Sequence, residues 1–182
     1  MTARAWLAAT GVVLTISCGG GVTPPPDLPD ASSPYPVEVT LGGANLDMSG
    51  FTTLDGDVTM VAGGQGGFHV WVKYRIAGAA EEKVTVNYTA RRISDGRLIL
   101  RSSSIVVMLG PPGSEGYWES PFPIPAFMCP SPLGVVVENQ PLVFTFEVRD
   151  GDGALRGGAT ATFTPHCPSD SQATHCVAIC NG

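Results

Sequence analysis

Beyond Pro36 apolar and polar side chains alternate along most of the chain, and a period of two predicts strands. VEVTL (37–41) reads as a first strand, followed by a turn at DGD (55–57) and a second strand around 58–61. GFHVWVKYRI (67–76) is the strongest strand, entered from the glycine-rich corner GGQGG and stopped by AGAA. KVTVNYTARRIS (83–94) runs into the hairpin dipeptide DG at 95–96, and RLILRSSSIVVML (97–109) leaves it and ends at GPPGSEG. Residues 117–132 are broken by prolines, which remove ladder donors, so they supply an edge strand or a loop. GVVVE (134–138) and PLVFTFEVRD (141–150) follow, and GDG turns the chain into ALRGGATATFTP (154–165).

Seven to nine short strands at this spacing, with turn signals between them and no convincing helix, predict an all-β, antiparallel immunoglobulin-like β-sandwich. An eight-stranded jelly roll is the alternative architecture. In the strongest strand, Phe68, Val70, Val72, Tyr74 and Ile76 form a core face. The opposite face, His69, Trp71, Lys73 and Arg75, is expected to be mostly solvated. Leu142, Phe144, Phe146 and Val148 make a second core face.

Composition agrees with strands and turns. Of 182 residues only 14% are charged, while glycines number 23 and prolines 16, a balance that disfavours long helices. The net charge of -6 and the scattered basic residues argue against a nucleic-acid partner.

Residues 1–17 carry Arg4, then an uncharged apolar run from Ala5 to Ile16, too short to span a bilayer and fitting a signal-peptide core. The end of this leader, LTISC followed by GGG, resembles the lipobox of bacterial lipoproteins. That resemblance implies cleavage before Cys18 and lipidation of Cys18, with Gly19 implying sorting to the outer membrane. Thr15 stands where the family usually has Leu, and ordinary signal-peptidase cleavage after Ser17 is the alternative. Residues 18–35, CGGGVTPPPDLPDASSPY, are too rich in glycine and proline to pack and read as a tether. Residues 36–166 are then the sandwich and 167–182 a Cys-rich tail. The closing hairpin, LVFTFEVRDGDGALRGGATATFTP, resembles the last two strands of immunoglobulin-like and fibronectin type III-like modules of bacterial surface proteins.

Cysteine parity fits lipidation. If Cys18 of the five cysteines carries lipid, Cys129, Cys167, Cys176 and Cys180 remain, an even set for two disulfides outside the cytoplasm. Three pairings are open, and Cys129 is expected to clamp the tail onto the 121–133 segment.

Three constellations bear on chemistry. His69 and Trp71 form an exposed pair suited to stacking on a sugar ring or a peptide; the structural alternative is a tryptophan covering its own sheet beside a cross-strand histidine. His166 and His175 precede Cys167 and Cys176, a spacing that admits a metal site, although disulfides are expected instead. The acidic turns at 55–57 and 150–153 lack the oxygen ligands of a calcium loop and read as turns. No G-x-S-x-G, H-E-x-x-H or phosphate loop occurs, so no catalytic residues, cofactor or metal are assigned.

The chain thus reads as a non-catalytic, membrane-anchored envelope or surface lipoprotein, binding a protein or carbohydrate or serving a structural role. It resembles lipoproteins of Gram-negative bacteria whose molecular roles are unknown. The alternative is an extracytoplasmic metal-binding protein using its histidines and the Cys-rich tail.

Overall fold

The computed structural model describes residues 36–182 apart from residue 81, and the side chain of residue 102 is also left out. The leader, the tether and Cys18 lie outside the described residues. Two sheets pack face to face as an all-β sandwich. Among the described residues there are ten strands, against seven to nine expected.

In sheet A the long central strand β4 (Phe68–Ala77) is flanked on one edge by β1 (Glu38–Gly43) and β3 (Val61–Ala62). Its other edge carries β7 (Tyr117–Glu119) and β8 (Ile124–Cys129). Sheet B has the order β2 (Gly56–Thr59), β10 (Leu155–His166), β9 (Leu142–Arg149), β5 (Lys83–Arg92), β6 (Leu98–Met108). All pairings are antiparallel except β2, which lies parallel to the end of β10.

The alternation in the sequence explains the core. Phe68, Val70, Val72, Tyr74 and Ile76 are all buried and meet Leu142, Phe144, Phe146 and Val148 from the other sheet. Tyr74 and Phe146 join the layers with ring centroids 4.6 Å apart. Burying one such side chain contributes on the order of 1.5–3 kcal/mol, so these rows dominate the stability of the fold. The proline-rich segment forms β8 at the edge of sheet A, with Pro125 opposite Trp71, where a missing N–H is tolerated. The acidic turn at 150–153 closes as expected, with Asp150 Oδ1 accepting from the N–H groups of Asp152 and Ala154 between β9 and β10. At 55–57 no turn forms, because Gly56 and Asp57 already belong to β2 and pair with the end of β10.

Two further expectations fail. GVVVE (134–138) is not a strand; Val135 and Val137 are buried, but their N–H groups bond to the carbonyls of Pro132 and Cys180, not to a ladder. A helix is present where none was expected: the tail holds α1 (Ala173–Cys180). Its Gln172 cap makes no side-chain hydrogen bond and its ends carry no complementary charge, so tertiary contacts and disulfides sustain it. Among the described residues no helix is long and apolar enough to cross a membrane.

The corner GGQGG is the β3–β4 turn. Gly63 N donates to the Gly67 carbonyl (2.7 Å), and Gly66 takes a φ of 83°. At Gly67 a Cβ would stand 2.6 Å from the Cys129 carbonyl oxygen, so only glycine lets β8 approach this closely.

Candidate functional site

The outward face of sheet A is built on β4, whose odd-numbered residues His69, Trp71, Lys73 and Arg75 point away from the core. This face is less solvated than the sequence suggested. His69 is 4% and Lys73 6% exposed, with Trp71 and Arg75 half-buried. Side chains from the neighbouring strands cover them.

At one end the cover is aromatic. His69 pairs across the sheet with Val61 on β3 and Phe127 on β8. Its ring meets Trp71 edge-on at 4.1 Å and Phe127 at 5.6 Å. Burial holds the His69 imidazole below its ordinary pKa, so it is neutral at pH 7. Neither His69 ring nitrogen has a hydrogen-bond partner among the described residues, and the same holds for Trp71 Nε1. The edge-on packing lets an N–H point at a ring face, a weak substitute for a hydrogen bond. Phe127 is 50% exposed beside them.

At the other end the cover is charged. Glu119 on β7 accepts from Lys73 Nζ (2.7 Å) and Arg75 Nε (2.9 Å). Burial alone would raise the Glu119 pKa, but the hydrogen bonds and charges of Lys73 and Arg75 outweigh it and hold it below the ordinary value. The Arg75 guanidinium lies 3.9 Å from the Phe51 ring centroid and 4.5 Å from that of Tyr117, a double cation–π contact. Gly42 makes room for Phe51, because a Cβ there would sit 2.5 Å from its ring. The Tyr117 hydroxyl donates to Glu115, which together with burial raises its pKa. Between these groups lies a depression of about 270 Å³ lined by Glu38, Thr40, Arg75, Ala77, Glu115 and Tyr117. None of the groups at this end was singled out in the sequence as binding. Arg75 and Glu119 pair from strands 44 residues apart, and no short motif encodes that.

The tail brings the four cysteines together. Cys129 at the end of β8 is bonded to Cys180, and Cys167 after β10 is bonded to Cys176. Cys129 therefore ties the tail to the 121–133 segment, as expected. Cys176 and Cys180 sit one turn apart on the buried face of α1, with their Sγ atoms 3.7 Å apart. The histidines do not join them. His166 Nε2 lies 2.9 Å from Asp57 Oδ1, and His175 Nε2 donates to the Gly66 carbonyl over the β3–β4 turn (3.2 Å). Among the described residues the sulfurs of Cys167, Cys176 and Cys180 form the one close group of metal-ligand type, so a mixed His/Cys site is not assembled.

Fold and site together define the class: an all-β sandwich with an aromatic and charged sheet face and a disulfide-stapled tail. No protein-family model matches the chain, and no curated protein does. Among solved structures it is similar to the N-terminal domain of PorA, at 16% identity and a TM-score of 0.32, over 70% of this chain and 97% of that one.

Proposed function

We propose that this protein is a non-catalytic lipoprotein of the cell envelope, held at the outer membrane by lipid on Cys18. Residues 18–35 act as a stalk, and the outer face of sheet A receives a ligand. The leader and its cysteine support the anchor. The observation that carries the binding role is the aromatic end of that face. There the unpartnered nitrogens of His69 and Trp71 stand beside the half-exposed Phe127. Buried polar atoms without partners are costly, and polar groups of a bound ligand would satisfy them. An edge-to-face aromatic cluster with an exposed Phe127 ring and polar atoms beside it suits contact with a sugar ring or an extended peptide.

The test is titration of the protein with soluble cell-wall oligosaccharides and extended peptides, followed by tryptophan fluorescence. Phe127→Ala and Trp71→Ala should each weaken binding about tenfold, the loss of one aromatic contact. If both variants bind as tightly as the parent, or neither probe class binds, this role fails. For the anchor, Cys18→Ala should carry no acyl label and leave the membrane fraction; retention of that variant in the membrane defeats it.

A further inference from the structure

We propose that the four cysteines of the sandwich and tail also constitute a zinc(II)–thiolate site, which closes when the chain is reduced. The placement of the sulfurs carries this. Structural zinc binds four sulfurs tetrahedrally at about 2.3 Å, which sets neighbouring sulfurs about 3.8 Å apart. Cys176 and Cys180, at i and i+4 on α1, already hold their Sγ atoms 3.7 Å apart. Cys167 joins them, with all three Sγ atoms within 4.8 Å of one another. The fourth corner comes from Cys129, whose Cα lies 5.2 Å from that of Cys180. Three separate elements thus bring the cysteines to one corner of the sandwich: three sulfurs from the segment after β10 and one face of α1 are grouped already, and Cys129 at the end of β8 reaches them through Cys180.

The surroundings suit a closed structural site. Cys176 and Cys180 are fully buried, Cys129 is 2% exposed, and Cys167 is half-buried, leaving one side for the ion to enter. The donor set is all sulfur, which selects zinc or another soft ion over calcium or magnesium. The Met60 thioether lies 3.9 Å from Cys129 Sγ and packs against the cluster as a fifth, neutral sulfur.

The two closures exclude each other, since a sulfur in a disulfide is not a thiolate ligand. Each disulfide takes up two electrons from a dithiol or phosphine reductant, and two protons from the dithiol or, with the phosphine, from water, to give two thiols. The dithiol leaves as a disulfide; the phosphine leaves as its oxide, with its oxygen from water. Zinc then displaces the thiol protons as four Zn–S bonds form. Either closure pins α1 against β8 and the end of β10, so the sandwich keeps its tail in both redox states.

The experiment uses the full chain in detergent, reduced with a phosphine under argon, desalted, and titrated with cobalt(II) and then zinc(II). One cobalt per chain should bind with the visible bands and thiolate charge-transfer absorption of a tetrahedral sulfur site, and one zinc should displace it. Cys167→Ser and Cys180→Ser should each weaken binding on the order of 100-fold, with Cys18→Ser unchanged. Far-UV circular dichroism is recorded alongside: if reduction unfolds the tail, zinc should restore its signal. Absence of the tetrahedral bands, stoichiometry well below one, binding unaffected by Cys167→Ser and Cys180→Ser, or loss in Cys18→Ser overturns the proposal.

Discussion

Glu119→Gln tests the charged end of the sheet A face, because the substitution keeps the shape of the side chain and removes only its charge. In the native protein Glu119 bridges Lys73 and Arg75, and the Lys73 side chain is 7% exposed against 30% for Glu119. The variant leaves an ammonium and a guanidinium together with no bridging carboxylate. Breaking a fully buried ion pair costs about 3–5 kcal/mol. Water reaches the partly exposed carboxylate, so the discounted cost here is about 2 kcal/mol. For a domain of this size that corresponds to a fall in Tm of about 4–8 °C. Urea unfolding with the disulfides intact, followed by far-UV circular dichroism, measures it by linear extrapolation. Lys73→Met in the same background removes the stranded charge and should recover most of the loss. Arg75→Gln, which keeps the Lys73–Glu119 pair, should cost about 1 kcal/mol. The pH dependence adds a signature. The folded pKa of Glu119 is lowered from 4.5, so its contribution is fully present above that value and fades as pH falls through the lowered one. The gap between parent and Glu119→Gln should therefore be constant above about pH 4.5 and close below it. A variant within about 0.5 kcal/mol of the parent at pH 7, or a double variant no more stable than Glu119→Gln, refutes the reasoning.

Burial lowers the folded pKa of His69 from 6.5, so the unfolded chain binds more protons between the two values. The stability this contributes is complete above about pH 6.5 and declines as pH falls below it; urea unfolding from pH 8 to 5 should show the decline, and His69→Phe should flatten it. An unchanged slope in His69→Phe removes the histidine from that account. Gly67→Ala should cost about 1–3 kcal/mol, because its Cβ meets the Cys129 carbonyl at 2.6 Å, whereas Gly64→Ala, with nothing within 4 Å, should stay within about 0.5 kcal/mol. Equal unfolding midpoints for the two variants contradict the close approach.

The core was legible because it obeys a local rule: in β4 and β9 every second residue is large and apolar, and those rows are the ones that meet. What stayed hidden depends on partners far along the chain. Lys73 looks like a solvated residue on a strand face until Glu119, 46 residues away, is placed beside it. The run of valines at 135–137 has the composition of a strand but no ladder partner, because the tail occupies the position where one would pair. Helix α1 has eight residues and no capping signature, so periodicity could not find it. The one available signal was Cys-x3-Cys, the spacing that puts Cys176 and Cys180 on a single helical face. His69 and Trp71 were recognised as a pair, whereas their burial follows from Phe127 on β8, reached only through the sheet register.

That register also joins the two regions that looked separate. The turn between β3 and β4 touches both: a Cβ on Gly63 would lie 3.4 Å from the His69 ring, Gly67 lies under the Cys129 carbonyl, and the Gly66 carbonyl accepts from His175 on α1. Glycine is required there because three elements converge on one short loop. A side chain on Gly67 would push apart β8 and the turn, and so disturb the strand that carries Phe127. The tail disulfide at Cys129 restrains that same end of the strand. The glycine-rich corner thus has a positional role. It sets how closely β8 lies against β4, and that spacing determines how deeply His69 and Trp71 are held beneath Phe127.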